Sequence, residues 1–477
     1  MRKTKIVCTL GPNENNYEIL RKLAEKMDVA RFNFSHGDHE EHLDRLELLK
    51  KARKDSGRQI AALLDTKGPE IRTGLLENHE KVTLVTGQDF TLTTEEITGN
   101  KDKVYINYDG LNQDVSAGNV ILIDDGLIGL KVKDVQGPEI HCTVVNGGEL
   151  GERKGVNVPN VSIRLPGLTD KDIDDIKFGI QQGFDFVAAS FVRNAETINQ
   201  IRALIDEAGS HMQIIAKIES QEGLDNLDEI IAAADGIMVA RGDLGVEIEA
   251  KRLPQLQKEM ISKANFAGKI VITATQMLDS MIRNPRPTRA EVTDVANAVY
   301  LGTDAVMLSG ETANGKYPVE ALDMMASVVE YTEQFLNYKD IYKNRMVEKS
   351  IYQNIANAVC AASVTTAHEL QARAIVAPTM SGTTARLISK YRPKSEIMAL
   401  SPNQGTVRQM MLLWGVTPVW ARRADTTDEL FESSIEELKN RNLIQDGDLC
   451  VITAGVLSRL TKHQPAAATN IMRIMQA

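Results

Sequence analysis

The 477-residue sequence contains few cysteines and few aromatic residues. The four cysteines, Cys8, Cys142, Cys360 and Cys450, lie far apart, and no Cys-x-x-Cys pair occurs. Small disulfide-bonded scaffolds and cysteine zinc sites both need closely spaced cysteines, so neither is expected. Free thiols at these positions favour a reducing compartment.

Long hydrophobic runs are also missing. No apolar stretch reaches the ~18 residues that a membrane-spanning helix requires. The N-terminal segment Met1–Lys5 leads directly into a short apolar strand without the hydrophobic core of a signal peptide. The sequence therefore predicts a cytoplasmic protein without a membrane partner.

An excess of basic residues is absent as well, since the formal net charge is −10. Nucleic-acid backbones and anionic membranes attract surplus lysine and arginine, so a nucleic-acid partner is not expected. Any bound phosphate must therefore be held by a few cations at defined positions.

The remaining composition is that of a globular α/β protein. Hydrophobic residues make up 43% and charged residues 25%, which is enough apolar material for large cores. Because single domains rarely exceed about 250 residues, the length predicts two or three domains.

Eight short apolar runs alternate with helical stretches, the pattern of parallel strands joined by helices. The runs are 5–10, 28–34, 61–66, 186–191, 213–219, 236–242, 269–276 and 305–311, and helices are predicted at 16–27, 197–208 and 318–335. This pattern favours an α/β fold with an eight-stranded (β/α)8 TIM barrel. A doubly wound open sheet is the alternative.

Two further units are predicted around the barrel. Between the third and fourth strands, the runs 81–92, 103–107, 119–134 and 139–145 predict an all-β insert. Its place at the carboxyl end of the barrel suits a lid, and an insert without a role in the reaction is the alternative. After a polar linker at 339–349, strands at 372–377, 396–400 and 448–453 and helices at 351–370, 385–391, 405–413 and 427–441 predict a C-terminal α/β domain. The predicted domains are a barrel (1–69 and 165–338), a β-barrel lid (70–164) and a regulatory domain (339–477).

Polar residues follow or end several predicted strands. Arg31, Asn33 and Ser35 alternate along the second strand and so share one face, which suits a phosphate and a monovalent cation better than a core. After the third strand, Asp65, Thr66 and Arg72 stand around a Gly-Pro turn. Oxygen ligands suit hard cations and Arg72 suits a phosphate, although a turn with solvated charges is the alternative.

The fifth and sixth strands end in candidate metal ligands. Lys217 and Glu219 share a face, and Asp243 follows the sixth strand within Arg-Gly-Asp-Leu-Gly. Two carboxylates from adjacent strand ends suit one Mg²⁺, and Lys217 suits charge that develops on a transferred phosphoryl group or an enolate. Backbone amides around Gly242 suit a substrate carboxylate, and Thr275 on the seventh strand suits a substrate hydrogen bond. A Lys217–Glu219 salt bridge of purely structural importance is the alternative.

Together, these segments resemble the pyruvate kinase family. The resemblance rests on residues 30–37, 65–74, 215–223, 238–245, 272–278, 285–298 and 307–313, and it extends over essentially the whole chain. It implies transfer of the phosphoryl group of phosphoenolpyruvate to ADP, which gives ATP and pyruvate in the last step of glycolysis.

The resemblance also implies a role for each site residue. Arg31 would hold the phosphoryl group, Lys217 would stabilise the transition state, and Thr275 through water is the candidate proton donor to the enolate. The other implied ligands are Glu219 and Asp243 for Mg²⁺ (or Mn²⁺); Asn33, Ser35, Asp65 and Thr66 for K⁺; Gly242, Asp243 and Thr275 for the substrate carboxylate; and Asn33, Phe34, Ser35, His36, Arg72 and Lys177 for the nucleotide.

The resemblance also bears on regulation by an effector and on subunit assembly. Thr379, Ser381, Gly382, Thr383 and Thr384 resemble the family's loop for a phosphorylated effector, and they stand where amide groups at a helix start suit an anion. The partner loop, 461–470, carries alanines where relatives often have glycines, so the effector is left open. The family is usually a homotetramer.

Glu70 predicts dependence on K⁺, because a glutamate at this position resembles the K⁺-dependent members and a lysine the independent ones. The alternative is that Glu70 pairs with Arg72 or Lys67 at the hinge of the lid. A Mg²⁺-dependent pyruvate-enolate lyase is the rival enzyme, but it has no need of Arg31, Asn33, Ser35, Arg72 and Lys177. A non-catalytic protein of this fold is not expected to keep Lys217, Glu219 and Asp243.

Overall fold

The structure is a computed structural model that describes residues 2–347, 354–455 and 469–477. The strands are β1 (Lys5–Leu10), β2 (Val29–Asn33), β3 (Ala61–Asp65), β4 (Val82–Leu84), β5 (Asp89–Thr93), β6 (Lys103–Tyr105), β7 (Val120–Ile123), β8 (Ile128–Gln136), β9 (Glu139–Asn146), β10 (Gly148–Leu150), β11 (Val156–Asn157), β12 (Phe186–Ala189), β13 (Gln213–Ile218), β14 (Gly236–Ala240), β15 (Ile270–Ala274), β16 (Ala305–Leu308), β17 (Ala374–Pro378), β18 (Glu396–Ser401), β19 (Val416–Trp420), β20 (Leu449–Ala454) and β21 (Ile471–Gln476).

Helices connect most of these strands. They are α1 (Tyr17–Ala24), α2 (His39–Ser56), α3 (Leu111–Asp114), α4 (Asp170–Gln182), α5 (Ala195–Glu207), α6 (Gln221–Asp225), α7 (Leu227–Ala233), α8 (Arg241–Glu247), α9 (Leu253–Ala267), α10 (Arg289–Leu301), α11 (Gly310–Ala313), α12 (Pro318–Glu333), α13 (Tyr338–Val347), α14 (Ile355–Glu369), α15 (Thr383–Lys390), α16 (Gln404–Gln409) and α17 (Thr427–Asn440). Within the described ranges, none of the helices combines the length and the apolar character needed to cross a bilayer.

A closed barrel of eight parallel strands forms the centre of the chain, in the order β1-β2-β3-β12-β13-β14-β15-β16 and back to β1. Closure is visible at Cys8 of β1, which pairs with Ala30 of β2 on one side and Leu308 of β16 on the other. Every one of the eight predicted runs forms a barrel strand, so the barrel is confirmed and the open sheet is wrong.

The inserted segment forms a separate six-stranded sheet, in the order β11-β7-β8-β9-β5-β6, and a two-stranded sheet of β4 and β10. Two predicted runs are each divided by a turn. The run 81–92 is β4 and β5, separated at Gly87, whose φ is 92°. The run 119–134 is the hairpin β7-β8, because Asp124 and Asp125 at its turn both have positive φ.

The C-terminal unit is a five-stranded sheet in the order β19-β18-β17-β20-β21. The three predicted strands form its centre, and the two edge strands were not predicted. β19 contains Pro418, which an edge strand tolerates because one side of its backbone is unpaired. β21 runs antiparallel to β20 and leaves Met472 and Ile474 partly exposed, so its pattern is not that of a buried strand.

The predicted linker at 339–349 is wrong over most of its length, because α13 covers Tyr338–Val347. The segment is polar but contains no glycine or proline to stop a helix. Tyr342 stacks on His368 of α14, and Arg345 donates to the Lys390 carbonyl at 2.6 Å. Tertiary contacts therefore stabilise a helix that its own sequence pattern does not indicate. Residues 348–353 lie outside the described residues. They include the end of the predicted linker and the first three residues of the predicted helix at 351–370.

Four aspartates fasten the amino-terminal floor of the barrel, three of them buried and the fourth, Asp235, half-buried. They immediately precede β2, β12, β14 and β16, which are every second strand around the barrel. Each carboxylate accepts a backbone N–H at 2.9 Å from the strand before it in the barrel order. The aspartates are Asp28, Asp185, Asp235 and Asp304, and their donors are Ile6, Ala62, Ile214 and Val271. The repeat fixes the mutual register of the strands on which the site stands.

Two of these four carboxylates are neutralised by arginines of the C-terminal unit. Arg408 donates to Asp185 at 2.8 Å and Arg392 to Asp304 at 2.8 Å, whereas Arg202 of the barrel itself pairs with Asp235. Arg392 also lies 4.8 Å from the ring of Trp414 and donates to the Gly302 carbonyl. The C-terminal unit is thus part of the electrostatic structure of the barrel floor.

We expect Arg392→Met to lower the free energy of unfolding by about 3–5 kcal/mol, because it leaves the Asp304 carboxylate buried without a counter-ion. Calorimetry and urea titration measure the loss. The control Arg21→Met removes a surface arginine that pairs with Glu18 and Glu25, and its effect should stay within about 0.5 kcal/mol. Asp304→Asn should recover part of the loss in the Arg392→Met background. Equal losses for Arg392→Met and Arg21→Met would contradict the assignment.

Candidate active site

A buried ion pair joins the second and third barrel strands at the carboxyl end of the barrel. Arg31 Nε lies 2.6 Å from Asp65 Oδ2, and Arg31 Nη1 donates to Thr9 Oγ1 at 3.0 Å. Arg31 is 8% exposed and Asp65 1%. The alternation of Arg31, Asn33 and Ser35 therefore carries Arg31 into the barrel interior, as its spacing predicts.

Lys217 of β13 extends this pair into a cluster of four charges. Its Nζ lies 3.1 Å from Asp65 Oδ1 and 3.0 Å from Glu219 Oε1. Two cations and two carboxylates from β2, β3, β13 and the residue after β13 therefore occupy one buried volume. The opposite charges balance, which is the condition for burying them together.

The pKa shifts follow from this balance. Burial alone would raise the pKa of Asp65, but Arg31 and Lys217 hold it below its usual value. Burial alone would lower the pKa of Lys217, yet Asp65 and Glu219 raise it above the ordinary lysine value. Burial raises the pKa of Glu219 to about 7, although Lys217 acts in the opposite direction. Lys217 is accordingly a permanent positive charge.

Glu219 has one oxygen that is bonded and one that is not. Glu219 Oε2 accepts the Phe191 N–H at 2.6 Å, and Phe191 adopts a positive φ of 53° to present it. Glu219 Oε1 is buried and accepts no hydrogen bond from the described residues, because its 3.0 Å ion pair with Lys217 lacks hydrogen-bond geometry. A buried carboxylate oxygen whose contact is an ion pair alone keeps lone pairs for a metal ion.

Gly242 and Thr275 meet beside Asp243 at the ends of the sixth and seventh strands. Thr275 Oγ1 accepts the Gly242 N–H at 2.8 Å and donates to the Ala274 carbonyl at 2.6 Å. Thr275 and Gln276 have φ values of 69° and 54°. Positive φ is uncommon for any residue other than glycine, and it is rarest for a β-branched residue such as threonine. Such strain is typical of functional sites, where the surrounding contacts maintain it.

Arg241 maintains that strained turn. Its Nη2 donates to the Thr275 carbonyl at 2.6 Å, its Nε to the Ala274 carbonyl at 3.1 Å, and its Nη1 to Asp294 Oδ1 at 2.7 Å. The sequence did not identify Arg241, although it lies within the Arg-Gly-Asp segment whose other two members were chosen. Its chemistry is internal, so only the contacts reveal its role.

A cleft of about 800 Å³ lies between the barrel mouth and the inserted sheet. Its lining includes Asp243 and Arg72, together with Asp125 from the turn between β7 and β8. Burial first, and then Asp243, raise the pKa of Asp125. The buried cluster around Lys217 does not itself line this cleft, so Asp243 marks the place where cleft and cluster approach each other.

The residues chosen for the nucleotide differ in their surroundings. Arg72 lines the cleft, while Lys177 is exposed on α4 and His36 is exposed after β2. Phe34 differs, because its side chain is 1% exposed and stacks on His42 with ring centroids 3.9 Å apart. Phe34 therefore packs in the core, and only its backbone is left for a ligand.

Glu70 pairs with Arg72 through a 2.7 Å hydrogen bond from Arg72 Nε. This is the pairing that the sequence offered as the alternative to a K⁺-related role. The pairing does not test whether K⁺ is needed for activity. Dependence on K⁺ therefore stays a prediction.

The residues chosen for K⁺ lie along adjoining segments. Asn33 pairs with Asp65 in the strand register, the Ser35 N–H donates to Asn33 Oδ1 at 3.2 Å, and Thr66 is buried beside Asp65. Over the described ranges, no group of three or more His, Cys, Asp or Glu side chains has the arrangement of a metal site.

The loop chosen for an effector begins α15. The Gly382 N–H donates to Thr379 Oγ1 at 3.0 Å, and the exposed Ser381 and Thr383 hydroxyls lie 2.9 Å apart. Thr384 is buried and its hydroxyl meets that of Thr469 at 2.8 Å. Residues 461–468 of the partner loop lie outside the described residues.

Sequence models of known families match both larger units of the chain. The pyruvate kinase barrel domain matches residues 1–322, and the pyruvate kinase alpha/beta domain matches residues 357–475.

Several known proteins are similar over the whole length. Pyruvate kinases of Sporosarcina psychrophila and Geobacillus stearothermophilus are 50% and 51% identical, over 99% of this chain and 80% of theirs. The pyruvate kinase of Clostridium acetobutylicum is 46% identical over 99% of both chains. A crystal structure of a pyruvate kinase from Cryptosporidium parvum superposes with a TM-score of 0.94 at 40% identity, and it covers 100% of this chain and 96% of that one.

Matches of this extent, on a barrel that brings Arg31, Asp65, Lys217 and Glu219 together, assign the chain to a family: it belongs to the pyruvate kinases, which are phosphotransferases.

Proposed function

We propose that the protein transfers the phosphoryl group of phosphoenolpyruvate to ADP at the carboxyl end of the barrel, giving ATP and pyruvate. The observation that carries the proposal is the buried cluster of Arg31, Asp65, Lys217 and Glu219. Phosphoryl transfer depends mainly on positioning and on stabilising charge on the transferred group, and fixed buried cations supply both.

Arg31 and Lys217 are the proposed catalytic cations. Arg31 is held by Asp65 and Thr9, so its guanidinium keeps one orientation and can recognise phosphoryl oxygens. Lys217 stays charged, and it stabilises negative charge on the transferred group and on the enolate oxygen that is left behind. The same charge assists when the enolate is protonated, for which Thr275 acting through water remains the candidate.

The proposed Mg²⁺ ligands are Glu219 and Asp243. Glu219 Oε1 accepts no backbone N–H and makes a polar contact with Lys217 alone among the described residues, which fits this role. Mg²⁺ commonly uses only one or two protein carboxylates and keeps water and substrate oxygens for the rest. When bound, Mg²⁺ (or Mn²⁺) would supply Lewis-acid polarisation of substrate oxygens. Asn33, Ser35, Asp65 and Thr66 would hold K⁺ through hydroxyl, amide and carboxylate oxygens.

The rest of the site is assigned by position. Gly242, Asp243 and Thr275 would hold the substrate carboxylate next to the strained turn, and Arg72, Lys177 and the backbone of residues 33–36 would face the nucleotide. Residues 70–164 would close over the cleft as a lid on the barrel of residues 1–69 and 165–338, and so exclude water.

The C-terminal unit, residues 339–477, is the proposed regulatory domain. The loop of Thr379, Ser381, Gly382, Thr383 and Thr384 would bind a phosphorylated effector, with Ser381 and Thr383 the exposed hydroxyls. A homotetramer in the cytoplasm is proposed on the resemblance alone. No observation favours the lyase alternative.

We expect Lys217→Met to reduce kcat by at least about 100-fold, because it removes the cation that acts on the transition state. The affinity for phosphoenolpyruvate, measured by calorimetry, should change far less. Pyruvate formation is followed in a coupled assay. The control Lys81→Met removes a surface lysine that pairs with Glu149, and it should be without effect. A Lys217→Met enzyme that keeps kcat within a few-fold of the parent would refute the role.

Glu219→Gln and Asp243→Asn should each raise the Mg²⁺ concentration needed for half-maximal activity, because each replaces an anionic oxygen by a weaker neutral one. Mg²⁺ titration at fixed ionic strength measures the change. Glu249→Gln, which alters an exposed carboxylate paired with Lys251, is the control. Unchanged titrations in both site variants would place the metal elsewhere.

Activity should fall sharply when K⁺ is replaced by a tetraalkylammonium ion at equal ionic strength. The phosphates of the substrate and the nucleotide would then add negative charge beside Asp65 and Glu70 without a further cation to offset it. Glu70→Lys should be less dependent on K⁺, since its ammonium supplies that charge. Full activity of the parent without K⁺, or an unchanged dependence in Glu70→Lys, would contradict the prediction.

A further inference from the structure

Ser190 is a buried residue at the end of β12 that touches the charged cluster. It is 3% exposed. Its hydroxyl oxygen lies 2.7 Å from Lys217 Nζ, 2.6 Å from the Thr66 carbonyl oxygen and 3.3 Å from Asp65 Oδ1. No feature of the local sequence singles it out.

The hydroxyl has one proton, and this decides the direction of its hydrogen bonds. The Thr66 carbonyl can only accept, and it is the nearest acceptor, so Ser190 donates to Thr66. The ammonium group of Lys217 can only donate, so Ser190 accepts from Lys217. The hydroxyl therefore links the Thr66 backbone to the lysine in one direction.

Among the described residues around Lys217 Nζ, Ser190 is the neutral acceptor. Asp65 and Glu219, the other two partners, are carboxylates that the proposed function assigns to K⁺ and Mg²⁺. A bound K⁺ or Mg²⁺ would compete with the Lys217 ammonium for those carboxylate oxygens. Ser190 offers Lys217 an uncharged contact that is not itself a proposed ligand of either cation, so this contact is not subject to the competition.

The backbone around Ser190 is fixed on the same segment. The Ser190 N–H donates to Thr66 Oγ1 at 3.1 Å, and the Thr66 N–H donates to the Ala188 carbonyl at 3.0 Å. Gly68 packs directly against Ser190, since a Cβ on Gly68 would lie 2.8 Å from the Ser190 Cβ. Hydrogen bonds and close packing therefore hold the turn after β3 against the end of β12.

We propose that Ser190 is a positioning residue for the phosphoryl transfer: its hydroxyl holds the Lys217 ammonium in place and ties it to Thr66, a proposed K⁺ ligand. The proposal rests on the proposed function. It predicts that the lysine and the K⁺ site are coupled through one hydroxyl group.

The first test is Ser190→Ala, which removes the hydroxyl and little volume. We expect kcat to fall by about 10- to 100-fold, because a displaced catalytic group costs up to about that factor, while KM for phosphoenolpyruvate stays within about three-fold. The matched control is Ser434→Ala, a 2% exposed serine whose hydroxyl donates to the Leu430 carbonyl at 2.6 Å, far from the cluster in sequence. A kcat for Ser190→Ala equal to that of the control would overturn the proposal.

A double-mutant cycle tests whether Ser190 acts through Lys217. In the Lys217→Met background, Ser190→Ala should reduce the residual kcat by less than two-fold, since the group it positions is gone. A full additional loss would show that Ser190 acts independently and would overturn the proposal. If Lys217→Met itself retains activity, the proposed function fails; if only Ser190→Ala retains it, this inference alone fails.

The link to K⁺ has a readout without turnover. The rise in Tm on replacing tetramethylammonium chloride by KCl should be smaller in Ser190→Ala than in the parent and in Ser434→Ala. An identical K⁺-dependent rise in all three proteins would contradict the coupling to Thr66.

Discussion

The burial of Asp65 between Arg31 and Lys217 is the constraint on which the site depends. A carboxylate that is almost fully buried requires compensation, and here two cations from neighbouring strands supply it. The same contacts fix the orientation of both cations before any substrate arrives. A site of this kind needs little reorganisation during the reaction, which is how fixed charges are most effective in catalysis.

This arrangement is only as accurate as the barrel that carries it. At the floor, aspartates hold alternate strands through backbone N–H groups, and two of them are neutralised from the C-terminal unit. β12 connects both levels, because Asp185 at its base meets Arg408 and Ser190 at its end meets Lys217. A displacement of the C-terminal unit would therefore act on a strand that ends at the charged cluster.

The opposite side of the site is an open cleft rather than a buried cluster. The cleft under the inserted sheet is polar, and it is lined by a carboxylate from each side, Asp125 of the inserted sheet and Asp243 of the barrel. Like charges so placed repel unless a cation or a donor group stands between them. The charge of whatever occupies the cleft therefore bears on these two carboxylates, while Arg241 holds the strained Thr275 turn.

The sequence by itself determined the barrel, and it supplied the residues that are proposed for the chemistry. Parallel strands buried on both faces read as continuous apolar runs, and the period of two along β2 was enough to place Arg31 in the interior. Only the tertiary structure decided which groups meet. Arg408 and Asp185 are 223 residues apart, and Lys217 and Asp65 are 152 apart, so no local pattern indicates their contact. The edge strands, α13 and the contacts of Ser190 escaped prediction for the same physical reason. Neighbours distant in the chain form them, and sequence periodicity reports only local burial.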